Sequence, residues 1–142
     1  MSSLSHETIN SFKESFQGTI ITAIDDEYDE ARKVWNGMFD KHPAIIARCL
    51  STSDVINAVN FARTNNLLTA VRGGGHNSAG NATCDDGIII DLSLMRRVNV
   101  DKKNNTVRVD GGALLGDVDR ETQLYDMAVS AGIVLHTGVG GL

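Results

Sequence analysis

The chain has 142 residues, 42% hydrophobic and 22% charged, and its 13 basic against 18 acidic residues leave a formal charge of −5. That length suits one domain with a real core better than two, and the charge gives no support for a nucleic-acid surface or a basic membrane patch. No apolar stretch approaches the ~20 residues of a bilayer span, and residues 1–10 lack a secretory pattern, so a cytoplasmic protein is expected.

Residues 5–16 carry Ile9, Phe12 and Phe16 at helical spacing. Acidic residues 25–30 lead into Ala31-Arg32-Lys33-Val34-Trp35, also read as helix, with Trp35 a core or interface aromatic. After Pro43, residues 44–50 read as a strand holding Cys49 as a buried thiol. Ser53-Asp54 suits the cap of a helix running to about Asn66, with Val55, Val59 and Ala62 on one side and Ile56 and Phe61 widening the stripe. Residues 67–71 read as the next strand. Strand, helix and strand make a βαβ unit, which implies parallel pairing and a right-handed crossover.

Residues 87–92, around Ile88-Ile89-Ile90, read as a buried strand, and residues 97–100 and 106–109 as a hairpin across Lys102-Lys103-Asn104-Asn105. Residues 114–125 read as a helix with Leu115, Val118, Thr122 and Tyr125 near one face. Asp110, Asp117 and Asp119 read as carboxylates around a helix start rather than a metal cluster. Cys84 falls in a loop, and two cysteines are too few for a disulfide framework, although a single bridge stays open.

Glycine is the unusual component. All but Gly18 and Gly37 of the 14 glycines follow residue 72. At Thr69-Ala70-Val71-Arg72-Gly73-Gly74-Gly75-His76-Asn77-Ser78-Ala79-Gly80, three glycines at a strand end free the main chain to turn its N–H groups toward one point, a shape that takes a diphosphate. A flexible turn that binds nothing fits composition equally well. His76 is open to three readings: an ordinary hydrogen-bonded side chain, a metal ligand, or a neutral imidazole acting as a nucleophile toward a cofactor held beside it. His6, His42 and His136 show no ligand-like spacing with it, so no metal is expected.

Arg72-Gly73-Gly74-Gly75-His76 resembles the Arg-Ser/Gly-Gly-Gly-His flavin-attachment motif of the vanillyl-alcohol oxidase and p-cresol methylhydroxylase (PCMH) superfamily, within it the berberine-bridge-enzyme-like branch. The likeness runs from about Asp25 to Leu142, through Ile45-Ile46-Ala47-Arg48-Cys49-Leu50-Ser51, Ile88-Ile89-Ile90-Asp91-Leu92-Ser93-Leu94-Met95, Gly111-Gly112 and Gly138-Val139-Gly140-Gly141-Leu142. It implies an α+β fold: the N-terminal part of a PCMH-type FAD-binding domain, two small sheets with packed helices, including the βαβ unit. Residues 1–24 would be an N-terminal extension and residues 25–142 the FAD-binding domain, truncated before the substrate domain.

The resemblance also implies the site. Arg72, Gly73, Gly74, Gly75, His76, Asn77, Ser78 and Gly80 would hold the FAD diphosphate, and Gly138, Val139, Gly140, Gly141 and Leu142 would approach the flavin. His76 would be the covalent attachment residue. Some branch members add a second bond through a cysteine four residues before the glycine-valine-glycine-glycine run. Val134 stands there in this chain, so a single attachment is expected. His136, in the same stretch, either comes near the flavin or is a structural or solvated histidine.

The implied activity is hydride removal from a small organic substrate (amine, alcohol or sugar), with oxygen as the electron acceptor. The catalytic residues are expected beyond Leu142, and the 142 residues alone are expected to be inactive. The expected partners are FAD and a small molecule, with no nucleic acid and no membrane. Two other readings stay open: a non-catalytic FAD- or nucleotide-diphosphate-binding piece, and a dehydrogenase or reductase holding FAD non-covalently.

Overall fold

The computed structural model describes residues 4–141. Helix α1 (His6–Glu14) begins where Ser5 Oγ accepts the Thr8 N–H at 3.1 Å, and it buries Phe12. Strand β1 (Thr19–Ile21), the short helix α2 (Tyr28–Ala31) and strand β2 (Ile45–Arg48) follow, then helix α3 (Thr52–Thr64), strand β3 (Thr69–Arg72) and strand β4 (Ile88–Asp91). The four strands form one sheet in the order β1-β2-β4-β3, with β1 antiparallel to β2 and the other pairs parallel. The βαβ unit β2-α3-β3 is therefore present, but β4 inserts between its two strands.

Successive side chains of a strand point to opposite faces, and here both faces are covered. Ile45, Ala47, Ile88 and Ile90 meet Phe12, Phe16, Ala58 and Ala62 of the first helical layer. Ile46 and Ile89 face the other way, against Ile21, Tyr28, Ala31, Ala70 and Cys84. Two covered faces explain why β4 reads as an unbroken apolar run. Residues 4–24, expected as an extension, add β1 to the sheet and Phe12, Phe16 and Ile20 to this core.

Strands β5 (Val98–Asp101) and β6 (Thr106–Val109) form the second sheet, a hairpin with Asn105 at φ 51° in its turn. Helix α4 (Leu115–Gln123) then buries Leu115, Val118 and Thr122, while Tyr125 lies beyond its end and is exposed.

Several expectations are corrected. The helix expected to reach Trp35 stops at Ala31, because Arg72 Nη1 donates to the Ala31 and Lys33 carbonyls and the Trp35 N–H donates to Gly75 O at 3.1 Å. The cap of α3 is Ser51, not Ser53-Asp54. Asp54 is instead fully buried and accepts the N–H groups of Gln17, Gly18 and Leu50. That contact turns α3 so that Ala58 and Ala62 face the sheet while Ile56 and Val59 face outward. Cys84, expected as incidental, is buried in the second core, and both cysteines are free. Burial pushes the Cys49 thiol up to about 12 and raises that of Cys84.

Candidate functional site

Parallel pairing brings the ends of β2, β3 and β4 to one edge and sets both Arg48 and Arg72 in register with Asp91. Asp91 is fully buried. It accepts from Arg72 Nη2 at 2.8 Å, from Arg48 Nε at 3.3 Å and from the Ser93 N–H at 3.0 Å. Burial alone would raise the Asp91 carboxyl, but the Arg72 hydrogen bond and charge, with Ser93, outweigh it and hold the group below the ordinary carboxylate range. The Arg72 guanidinium is thus spent beneath the glycine turn, on Asp91 and on the carbonyls of residues 31 and 33.

Beyond Arg72 the chain turns through Gly73-Gly74-Gly75. Gly75 sits at φ 72°, the left-handed region where a side chain is strained. Gly74 lies so close to Gly138 that a Cβ on either would collide with the other's main chain. On Gly140 it would meet Gly111 O at 2.6 Å. Residues 73–77 form one wall of a cavity of about 390 Å³, in the range of ligand pockets. Gly111, Thr137, Gly138, Gly140 and Gly141 form the facing wall, with Leu92, Asn81 and Ala82 at its margins. Main-chain groups come together here with almost no side chains between them.

The facing wall has no sheet of its own. The N–H groups of Leu115 and Gly116 in the first turn of α4 donate to the carbonyls of Thr137 and Leu135 at 2.9 Å, and the Val139 N–H donates to Ala113 O at 2.9 Å. These bonds satisfy N–H groups that a helix start leaves without partners. Asp117 strengthens the same turn. It accepts the Leu114 N–H at 2.9 Å and two bonds from Arg96 at 2.8 Å, which hold its carboxyl below the usual range against the pull of burial. Asp110 pairs with Arg97, and no metal-holding group of three His, Cys, Asp or Glu occurs among the described residues.

His76 lines the cavity and also a neighbouring hollow of about 320 Å³ that contains Trp35, Arg96, Leu114 and His136. Its Nε2 lies 2.9 Å from His136 Nδ1. The indole of Trp35 stacks on His76 with ring centroids 4.8 Å apart and lies tilted against His136 at 4.6 Å. Burial, and then the charge of His136, lower the His76 pKa below that of an ordinary histidine, against an opposing hydrogen bond to the His136 main-chain carbonyl. The shift favours the neutral imidazole.

The other expected residues fall differently. Asn77 lines the cavity, but its side chain accepts the N–H groups of Ala79 and Asn81 and locks the turn that follows. Ser78 and Gly80 lie outside the cavity lining; Ser78 O accepts from Asn36, and Gly80 packs under the Phe39 ring. Val139 belongs to a 3-10 turn over Val139–Gly141 behind the wall, and Leu142 lies outside the described residues. Trp35, expected in a core or interface, is 68% exposed and forms part of the histidine cluster. The sequence carries no local signal for that placement, which rests on Trp35 meeting Gly75 forty residues later.

A sheet whose parallel strands end at a glycine-rich cavity, with an imidazole at its rim, is the architecture of a domain that holds a diphosphate-bearing cofactor. The chain belongs to the FAD binding domain family, whose model matches residues 43–142. It is 38% identical over 128 residues to (R)-6-hydroxynicotine oxidase of Paenarthrobacter nicotinovorans, an alignment covering 90% of this chain and 28% of that protein. Its fold superposes on the crystal structure of 6-hydroxy-D-nicotine oxidase from Arthrobacter nicotinovorans with a TM-score of 0.86 and 35% identity, over 96% of this chain and 29% of the other. Glucooligosaccharide oxidase from Acremonium strictum, whose FAD is described as 6-S-cysteinyl and 8α-N1-histidyl, matches with a TM-score of 0.86 and 29% identity, over 94% and 29%. The chain thus spans under a third of the length of these relatives, and the expected PCMH-type fold is the one it has.

Proposed function

We propose that the chain is the N-terminal, flavin-attaching portion of an FAD-dependent oxidase, joined once to FAD through His76. FAD supplies a two-electron acceptor for hydride from a small organic substrate and hands the electrons to dioxygen. Among amines, alcohols and sugars, the similarity to the nicotine oxidases favours amines.

The residues present fit such a group. Gly73, Gly74 and Gly75 offer main-chain N–H groups to an anion without side chains in the way. Arg72 positions that turn through Asp91. Gly138, Gly140 and Gly141 allow a planar ring to approach main chain, and Val134 offers no thiol for a second bond. The domain itself runs over residues 25–142, and residues 4–24 extend it by adding the edge strand β1 and part of its core.

One observation carries the reading: an imidazole stands directly after the glycine turn, at the rim of the cavity that turn builds, where burial lowers its pKa. The test is denaturing gel separation of the complete protein. Flavin fluorescence should migrate with the polypeptide and be lost in His76→Ala. Fluorescence that leaves with the solvent front in the parent protein would overturn covalent attachment.

A further inference from the structure

The contact between His76 Nε2 and His136 Nδ1 joins residues sixty positions apart, and both rings are held in place by other means. His76 follows a turn pinned by Gly74 against Gly138. His136 is side-chain exposed, yet the carbonyls on either side of it, Leu135 O and Thr137 O, are both bonded to the start of α4. Trp35 lies against both imidazoles, and its own main chain is tied to Gly75. Three independent segments therefore fix one ring-to-ring geometry.

An imidazole has two nitrogens, and the hydrogen bond at one decides the chemistry of the other. We propose that His136 is the positioning residue and proton acceptor for His76: His76 Nε2–H donates to His136 Nδ1, leaving the His76 Nδ1 lone pair as the nucleophile for flavin attachment. The proposal rests on the attachment reading above and goes beyond it by assigning the tautomer and the partner.

Attachment would form a bond between His76 Nδ1 and the ring-methyl carbon of the flavin and break one C–H bond of that methyl, whose proton would pass to water. The two electrons would go to the flavin and then to dioxygen, which with two protons would leave as hydrogen peroxide. The alkylated imidazole would carry a positive charge unless it gives up its Nε2 proton. His136 Nδ1, 2.9 Å away, receives that proton, and the exposed His136 ring returns one to water. The Trp35 indole face stabilises whichever ring carries the charge by a cation–π contact.

The experiment uses the complete protein produced in riboflavin-starved cells and then mixed with FAD. Ultrafiltration measures reversible FAD binding before attachment, and in-gel fluorescence follows covalent attachment over time. His136→Ala should bind FAD within about twofold of the parent but attach it on the order of 10²-fold more slowly, the usual scale of a lost proton acceptor. Added imidazole should restore part of the rate. His136→Asn, which keeps an acceptor without the basicity, should fall between the two.

Attachment at the parental rate in His136→Ala would overturn the proposal. So would a joint loss of reversible binding and attachment that imidazole does not rescue, because a purely structural role predicts that pattern. A parent protein that never attaches FAD would sink the attachment reading itself, a result distinct from either.

Discussion

The two walls of the cavity are built in different ways. The wall at residues 73–77 continues a strand of a four-stranded sheet covered on both faces, and Asp91 ties its base to Arg72 and Arg48. The wall at residues 135–141 hangs on the first turn of α4 through main-chain bonds, next to the exposed Ile133, Val134 and Leu135. Core burial preforms the first wall, while the second is only as firm as the helix start that holds it. A site made from one rigid and one borrowed wall can be fixed at its anion end and adjustable where a ring must enter.

The largest expected effect lies in the anchors. Asp91→Ala leaves two arginines without their shared carboxylate and should cost about 3–5 kcal/mol, read by urea denaturation. Asp117→Ala, the corresponding change under the second wall, should cost about 1–2 kcal/mol, the scale of a lost helix cap. Equal losses would erase the distinction between the walls. Both carboxyls titrate below their ordinary range in the folded protein. Their contribution is therefore complete above the unfolded value of about 4 and disappears as pH falls through the lowered folded values. The gap between parent and each variant should close in acid.

A smaller effect tests where the walls meet. Gly74→Ala, which must displace Gly138 or Leu114, should cost about 1–3 kcal/mol and weaken FAD binding about tenfold. Gly141→Ala, with nothing within 4 Å of the added carbon, should stay within about 0.5 kcal/mol of the parent. Similar behaviour of the two variants would mean that the close approach of the walls is unimportant.

The smallest effect is spectroscopic. Trp35 is the chain's one tryptophan and stacks on His76. Its emission should change with pH in a component whose midpoint lies below that of an ordinary histidine, because protonation of His76 is disfavoured there. That component should be missing from His76→Ala. If it persists, the titrating ring under Trp35 is not His76.

What was legible in the sequence was local. The helical spacing of Ile9 and Phe12, the apolar run at Ile88-Ile89-Ile90, the hairpin around Asn105 and the glycine turn ending in His76 each carry their reason within a few residues. The misreadings all turn on partners far along the chain. Asp54 suited a helix cap, but two of its three N–H partners, Gln17 and Gly18, lie more than thirty-five residues away. The partner of Arg72 is remote too, because register sets it opposite Asp91, nineteen residues on. The pairing of His136 with His76 depends on how α4 folds back over the glycine turn, and no spacing rule encodes that. The chemistry of the motif could be read, but not the group that tunes it.

The burial of both cysteines has a practical consequence for labelling. Neither Cys49 nor Cys84 offers an accessible thiolate at neutral pH, so the native chain should be nearly silent to maleimides while folded. A cysteine introduced at Ile133, on the exposed stretch beside the second wall, would then be its single ready attachment point. A dye placed there would report movement of the borrowed wall without background from the core.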